Sequence, residues 1–436
     1  MCMPAKQFTP FYDDEQMKYE IDFYQPLGFA EAQLRVKLTP QRIHQICPEC
    51  GCKTHIHEHK TRTICGGTYQ GVPLIYEITD HIRYKCSQCP KTFVERYDFL
   101  AMGSSITIDM ENYIIWHLGS MPMLQIAVAV GVSEQTIANR AIAFGKSERK
   151  TMLQGHYKYL SMDEVFIGRD GDNKHVIYWV LNDLSAPWKA NNIMLEIGRT
   201  KEDVIERLML LENRDKVIAV CIDMWEGYKE AVTIALPNAV IVVDRFHVIK
   251  NAEERMNDVR KRSKCSKKEK DAMKKDAALF LKSFYKLSEA ELEKLEGYLK
   301  LDTQIEKMYY VLQELLELYN IRGYDEALEH LCKWETKVFE SGVEEAIMLY
   351  NTIYNWLPYI MNFFCYRITN GKTEGKNNLI RQIDRMGFHY GLACLQGCLY
   401  AHDRKQEYVK WKKHQKKAEK SKVDDKPCRI RKARAA

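Results

Sequence analysis

Two short Cys-x-x-Cys pairs, Cys47 with Cys50 and Cys86 with Cys89, restrict the N-terminal third of this 436-residue chain more than any other feature. Each pair can offer two thiolates from one turn, and two such turns close a tetrahedral zinc site with Zn–S bonds of about 2.3 Å. The 35 residues between the pairs exceed the commonest spacing and include a β-type run at 72–78. The pairs are therefore expected to meet across a small β-sheet rather than in a compact finger. Cys52, Cys65, His55, His57 and His59 lie nearby as reserve ligands. Four thiolates leave no open coordination position, which points to a structural ion. Unliganded core cysteines or a redox pair are the competing readings.

The rest of the composition frames this module. With 46% hydrophobic residues the chain has room for two to four domains with real cores. It holds fourteen cysteines, but no apolar run of membrane length and no apolar signal core at its start. They are read as metal ligands and core thiols of a reducing cytoplasm rather than as bridges. The net charge of +6 is unevenly spread: residues 401–436 carry fourteen Lys or Arg against five acids, and 250–286 carry thirteen against six. Such runs are the footprint of phosphate binding, with a solvated surface as the plain alternative.

Residues 123–140 read as a helix, a turn at Gly131 and a second helix capped by Ser133. Ile126, Val130, Val132 and Ile137 fall where two crossing helices would pack. Glu134, Gln135, Thr136, Asn139 and Arg140 are expected outward on the second helix, and with Ser133 they suit base edges and phosphates. An ordinary helical hairpin would give the same pattern.

From residue 157 the periodicity changes. Strand-like runs at 159–165, 175–181 and 193–197 are followed by a helix at 204–211 capped near Thr200, a buried strand at 217–222, a helix at 228–234 and a strand at 239–243. An antiparallel meander followed by α/β alternation is the order of a ribonuclease-H-like domain. Asp163 lies on the first strand, Asp223 ends the fourth, and Glu374 opens a later helix. The stretch between Asp223 and Glu374 is too long for a compact core. Its 250–358 portion is almost continuously helical in pattern, with a capping box at Ser288 and Glu291 and an apolar stripe of Met308, Leu312, Leu315, Leu316 and Leu318. An all-α insertion is expected, a separate helical domain being the alternative.

Three carboxylates gathered at one sheet edge form a ligand set for hard divalent cations, and a metal pair about 3.5 to 4 Å apart stabilises both oxygens of an in-line phosphoryl displacement. Asp244 also follows a strand and competes with Asp223 for the second position. Glu164 is expected to point to the opposite face of its strand from Asp163. Gly371 and Gly375 permit close approach of a phosphate backbone, while Lys372, Lys376 and Arg381 supply positive charge. A nucleotide P-loop is excluded around Gly371, because the upstream glycine and preceding strand are missing.

The ordered motifs Ser161-Met-Asp-Glu, Ile222-Asp-Met, Val243-Asp-Arg-Phe-His-Val and Thr369-Asn-Gly-Lys-Thr-Glu-Gly-Lys-Asn-Asn stand behind two Cys pairs and a helix-turn-helix. Over about residues 45–400 this set resembles the ISL-three-type family of bacterial insertion-sequence transposases. The resemblance implies that Asp163, Asp223 and Glu374 are a DDE triad holding two Mg²⁺ or Mn²⁺ ions, with Asp163 bridging them, and that Asp244, Arg245 and His247 belong to an accessory motif. It further implies zinc at Cys47, Cys50, Cys86 and Cys89, recognition of terminal inverted repeats, DNA cleavage, and transfer of the freed 3′-hydroxyl to target DNA by a dimer or larger synaptic assembly. Two departures are an extra Cys52 in the first knuckle and His81-Ile-Arg-Tyr-Lys where the family usually has paired arginines. The expected fold is multidomain α+β and α/β. It comprises an N-terminal region at 1–100 with the zinc module at about 45–95, a helix-turn-helix at 101–150, and a ribonuclease-H-like core at 151–250. An insertion at 251–358, the Glu374 helix at 359–400 and a basic tail at 401–436 complete it. A catalytically inactive, zinc-dependent DNA-binding regulator and a nuclease without strand transfer are the alternatives.

Overall fold

The computed structural model describes residues 17–24, 33–40, 45–69, 72–95, 97, 99–100, 104–169, 172, 174–186 and 189–424. In chain order the first elements are β1 (Met17–Tyr24), β2 (Gln33–Pro40), β3 (Thr54–Tyr69), β4 (Val72–Cys86), β5 (Thr92–Val94), α1 (Ile108–His117), α2 (Met123–Val130) and α3 (Glu134–Leu153). They are followed by β6 (Tyr159–Arg169), β7 (His175–Asp183), β8 (Asn191–Ile197), α4 (Lys201–Met209), β9 (Ala219–Ile222), α5 (Glu226–Ala235) and β10 (Val240–Val243). The remainder is helical: α6 (Arg245–Arg262), α7 (Lys267–Lys275), α8 (Ala277–Leu281), α9 (Glu289–Leu299), α10 (Thr303–Leu318), α11 (Tyr324–Ser341), α12 (Glu344–Tyr366), α13 (Gly371–Met386) and α14 (Leu392–Asp424). The chain forms two compact units, 1–148 with 383–436, and 149–382. Among the described residues no helix is long and apolar enough to cross a membrane.

In the first unit the strands run in the order β1-β2-β4-β3, with β5 on β4. Alternation in β2 and β4 sends Val36, Leu38, Tyr76 and Ile78 to one buried face, where Ile64 joins them. The helix-turn-helix forms as its sequence dictates. Gly131 takes a left-handed φ of +78° that ends α2, and the Ser133 hydroxyl accepts the Thr136 N–H at 3.2 Å to start α3. Met123, Ile126, Val130 and Ile137 are buried. The basic segment from 401 differs from the expected tail: it continues α14 through Asp424. Burial of Leu395, Cys398, Leu399 and Ala401 explains why helix persists there. Gly397 sits so close to α3 that a Cβ would fall 2.0 Å from the Ala141 carbonyl oxygen.

The second unit is built on a mixed sheet in the order β10-β9-β6-β7-β8. β6, β7 and β8 form the antiparallel meander, while β9 and β10 add in parallel on the other side of β6. All four β9 residues are buried, as a strand covered on both faces requires. One apolar core runs from these strands into the helices, joining Leu160, Val220 and Val242 to Met256, Leu312, Trp334 and Phe363. The long helical stretch thus shares the core of the second unit. Its expected boundary at Pro358 lies inside α12, which runs on to Tyr366. Proline removes one helical hydrogen bond, but buried Trp356, Ile360, Met361 and Phe364 hold the helix through that defect.

Candidate active site and zinc cluster

A cavity of about 620 Å³ opens where β6, the end of β9, the start of α6 and the start of α13 converge. Asp163, Asp223 and Glu374 all line it, together with Asp244, His247 and Arg381. Asp163 is brought there by the alternation of β6, Asp223 by the abrupt end of β9, and Glu374 by the first turn of α13.

Asp163 is fixed on both oxygens. Its Oδ1 accepts the Glu164 backbone N–H at 2.8 Å, and its Oδ2 accepts the Asn377 side-chain amide at 2.8 Å. Burial, reinforced by the negative charge of Asp223, pushes the Asp163 carboxyl up to about 7. Burial also raises Asp223, although His247 offsets part of that. His247 Nδ1 lies 2.9 Å from Asp223 and 3.5 Å from Asp244, an ion pair with both carboxylates. Burial disfavours the imidazolium, but the two carboxylates outweigh it and hold His247 up at about 10.

Asp244 is only 2% exposed. Its Oδ1 accepts the Asn370 backbone N–H at 3.0 Å, one residue before α13 begins, and its other oxygen faces His247. These commitments distinguish it from Asp223, whose side chain keeps 20% exposure to the cavity. Glu164, expected on the opposite face, also lines the cavity, and its carboxylate accepts Tyr228 Oη at 2.8 Å and Arg199 at 2.6 Å. Glu374 is exposed. Among the described residues, Asp163, Asp223 and Glu374 line one cavity without drawing their oxygens into a close-set group.

The residues present fit a hard cation. They offer oxygen donors, and Asp163 and Asp223 are carboxyls raised first by burial, with neighbouring carboxylates adding to it.

The four knuckle cysteines do form a close-set group, with all ligand atoms within 4.8 Å of one another. Sγ separations are 3.7 Å for Cys47–Cys89, 3.4 Å for Cys50–Cys86 and 3.7 Å for Cys50–Cys89. The edge of a tetrahedron with Zn–S bonds of about 2.3 Å is about 3.8 Å, so the set fits zinc. The N–H groups of Gln88 and Cys89 both point at Cys86 Sγ at 3.4 Å, holding that thiol down at about 6. Gly51, at φ +69°, makes the first knuckle's turn, closed by its N–H on the Cys47 carbonyl at 2.9 Å. Cys52 instead points at the Cys50 carbonyl.

A family model described as a transposase, of the DDE ISL-three type, matches residues 160–393. The chain belongs to the ISL-three-type transposase family. It is 22% identical over 369 residues to the transposase for insertion sequence element IS1001 of Bordetella parapertussis, covering 82% of this chain and 88% of that protein. The Drosophila P element transposase strand transfer complex aligns with a TM-score of 0.40 at 9% identity, over 71% of this chain and 92% of that one. The resemblance read from the motifs is borne out, and with it the function class of a DDE transposase.

In this transposase the other candidate residues are distributed unevenly. Ser133, Gln135 and Asn139 are exposed, Thr136 is half-buried, and Gln135 donates to Asn139 at 3.0 Å. Arg140 differs from the outward expectation: it is half-buried, bonded to Ser104 at 2.8 Å and paired with Glu111 at 3.5 Å. Its place three residues after buried Ile137 turns it toward the packed side of α3. Lys372 donates to the Ala186 carbonyl at 2.8 Å, and Lys376 is 6% exposed. Arg381 stays at the cavity, bonded to Asn378 at 2.9 Å, and Arg245 is exposed beside it.

Sequence reasoning passed over Asn370 and Asn377. Asn370 donates to the Met162 carbonyl at 3.2 Å and to Asp223 at 3.4 Å, and Asn377 holds Asp163. Both lie in the motif that carries Glu374, at i, i+4 and i+7 around it, a spacing that marks one helical face. Thr373, bonded to Ser161 at 2.5 Å, completes the seam between α13 and β6.

Proposed function

We propose that the chain cleaves DNA at the ends of an insertion sequence and joins the freed 3′-hydroxyl to target DNA, using a ribonuclease-H-like core with Asp163, Asp223 and Glu374 as its triad. The observation that carries this reading is their convergence on one cavity from three separate elements of a transposase-family chain. Asp163, Asp223 and Glu374 would hold the ions. Two bound Mg²⁺ or Mn²⁺ ions would supply charge stabilisation to the attacking and leaving oxygens of an in-line displacement.

The chain's own residues prepare that chemistry. Asn377 and the Glu164 N–H fix the Asp163 carboxylate in one orientation, and Asn370 does the same for Asp223. Asp244 anchors the start of α13 and so sets where Glu374 stands relative to the sheet edge. Arg245, Lys250 and Arg381 at the cavity supply positive charge for a phosphate backbone. Ser133, Gln135, Thr136 and Asn139 on the second helix of the helix-turn-helix would read the terminal inverted repeats, with a structural zinc holding the adjoining β-module. Two element ends must be held together, which calls for a dimer or larger synaptic assembly.

Labelled terminal-repeat duplexes incubated with the protein and Mg²⁺ or Mn²⁺ test this reading. Metal-dependent nicked and joined products are the expected result. Binding of the repeats with no cleavage in either metal would leave a regulator, and cleavage without joining a nuclease; either would overturn the transposition chemistry.

A further inference from the structure

A second surface, in the first unit and separate from the triad, carries four exposed aromatic rings among lysines. Tyr113 and Trp116 on α1 are 38% and 37% exposed, and Tyr408 and Trp411 on α14 are 46% and 57% exposed. Trp116, Tyr408 and Trp411 form a continuous strip. Trp116 meets Tyr408 edge-on with centroids 5.4 Å apart, and Tyr408 continues to Trp411 at 5.9 Å with ring planes 35° apart. The Lys405 ammonium lies 5.2 Å from the Trp116 ring centre, and that of Lys412 lies 6.0 Å from Tyr408. The helical registers explain the array: positions 113, 116 and 117 share one stripe of α1, and 405, 408 and 412 share one stripe of α14. The buried positions Met110 and Ile114 anchor α1, so the rings are not its core face.

Exposed tryptophan and tyrosine in such number need a partner. A protein-docking face is depleted of lysine at its centre, whereas here lysines sit against the rings themselves. Aromatic platforms interleaved with cations are what unpaired nucleotides require: every base has a face to stack, and every nucleotide a phosphate to neutralise. Duplex DNA offers the phosphates but keeps its base faces stacked internally. We propose that the α1–α14 strip of Trp116, Tyr408 and Trp411, with Lys405 and Lys412, binds single-stranded DNA without sequence preference. This surface goes beyond the recognition of duplex ends and beyond the catalytic cavity.

Fluorescence anisotropy of the full chain tests it, with a labelled oligothymidylate and a labelled duplex of the same length as probes. The single strand is expected to bind, and Trp411→Leu and Trp116→Leu should each weaken it about fivefold or more, the low end of what one stacked base contributes. Trp411→Phe, which keeps a stacking face, should retain most of the affinity. Lys405→Gln with Lys412→Gln, which leaves the rings in place, should flatten the salt dependence. Duplex binding should be little changed in all of these. Single-strand affinity untouched by the leucine variants, or equal losses for single strand and duplex, would overturn the proposal. So would a leucine variant that changes only the oligomeric state, since the strip would then be a contact between copies. Because cleavage of element ends is read separately, failure here leaves the triad's test intact.

Discussion

Asn377, on the second turn of α13, donates its side-chain amide to the Asp163 carboxylate at 2.8 Å, tying the helix that carries Glu374 to the strand that carries Asp163. The same amide reaches the Glu164 carbonyl at 3.3 Å. A 3%-exposed asparagine therefore sets the spacing between two members of the proposed triad.

Replacing Asn377 with Leu removes that tie while keeping bulk. Stability should fall by about 1 to 3 kcal/mol, since a buried acceptor loses its donor. Cleavage should fall by about a hundredfold or more, the scale associated with small misplacements of catalytic groups. Urea denaturation and single-turnover cleavage separate the two effects. Full activity in a stable Asn377→Leu protein would show that the contact does not position Asp163.

The pH dependence of metal uptake follows from Asp163. Its carboxyl is raised from 3.8 to about 7, first by burial and then by Asp223. A cation competes with that proton, so affinity for Mn²⁺ should rise with pH and level off above about 7, by up to about tenfold per unit. The same shift fixes the sign for the metal-free fold. The folded state keeps a proton that the unfolded chain releases near pH 4, so this contribution to stability is complete below about 4 and is lost as pH rises through about 7. Calorimetric titration with Mn²⁺ across this range checks the first statement, and melting curves of wild type against Asp163→Asn check the second.

The cysteine cluster should hold one zinc ion per chain. Cys50→Ser or Cys86→Ser should lose the metal and loosen the β3–β4 hairpin, whose ends the two knuckles join. Cys52→Ser should keep it, because that thiol lies outside the group. Metal content by atomic absorption with limited proteolysis of the purified variants decides between these outcomes.

Gly397→Val should destabilise the first unit. Any side chain there meets the Ala141 backbone at a distance no relaxation of a flexible group can relieve, and overpacking of this kind costs about 1 to 3 kcal/mol or more. A thermal melt of the variant, with Gly375→Ala as an open-space control, measures it.

Much of this architecture was legible because apolar periodicity and turn chemistry agree locally. The meander, the β9 and β10 strands, the Gly131 turn and the Ser133 cap all follow from residues within a few positions of one another. The long-range choices were less legible. Nothing in the local pattern tells Asp223 from Asp244, since both end buried strands; the difference is that Asp244 spends its oxygens on Asn370 and His247. Arg140 and Lys376 look like surface cations in sequence, yet their helices turn them inward. The part of α14 from residue 401 reads as a tail in sequence because its charge hides that it continues the helix anchored by buried Leu395, Cys398 and Leu399.

The most direct measurement is metal-dependent cleavage of a labelled terminal-repeat duplex by wild type and by Asp163→Asn, Asp223→Asn, Glu374→Gln and Asp244→Asn, with binding of the uncut duplex measured in parallel. The first three substitutions should abolish cleavage while leaving binding intact, and Asp244→Asn should retain measurable cleavage at reduced rate. Undiminished cleavage in Asp163→Asn, Asp223→Asn or Glu374→Gln would contradict the assignment of the triad.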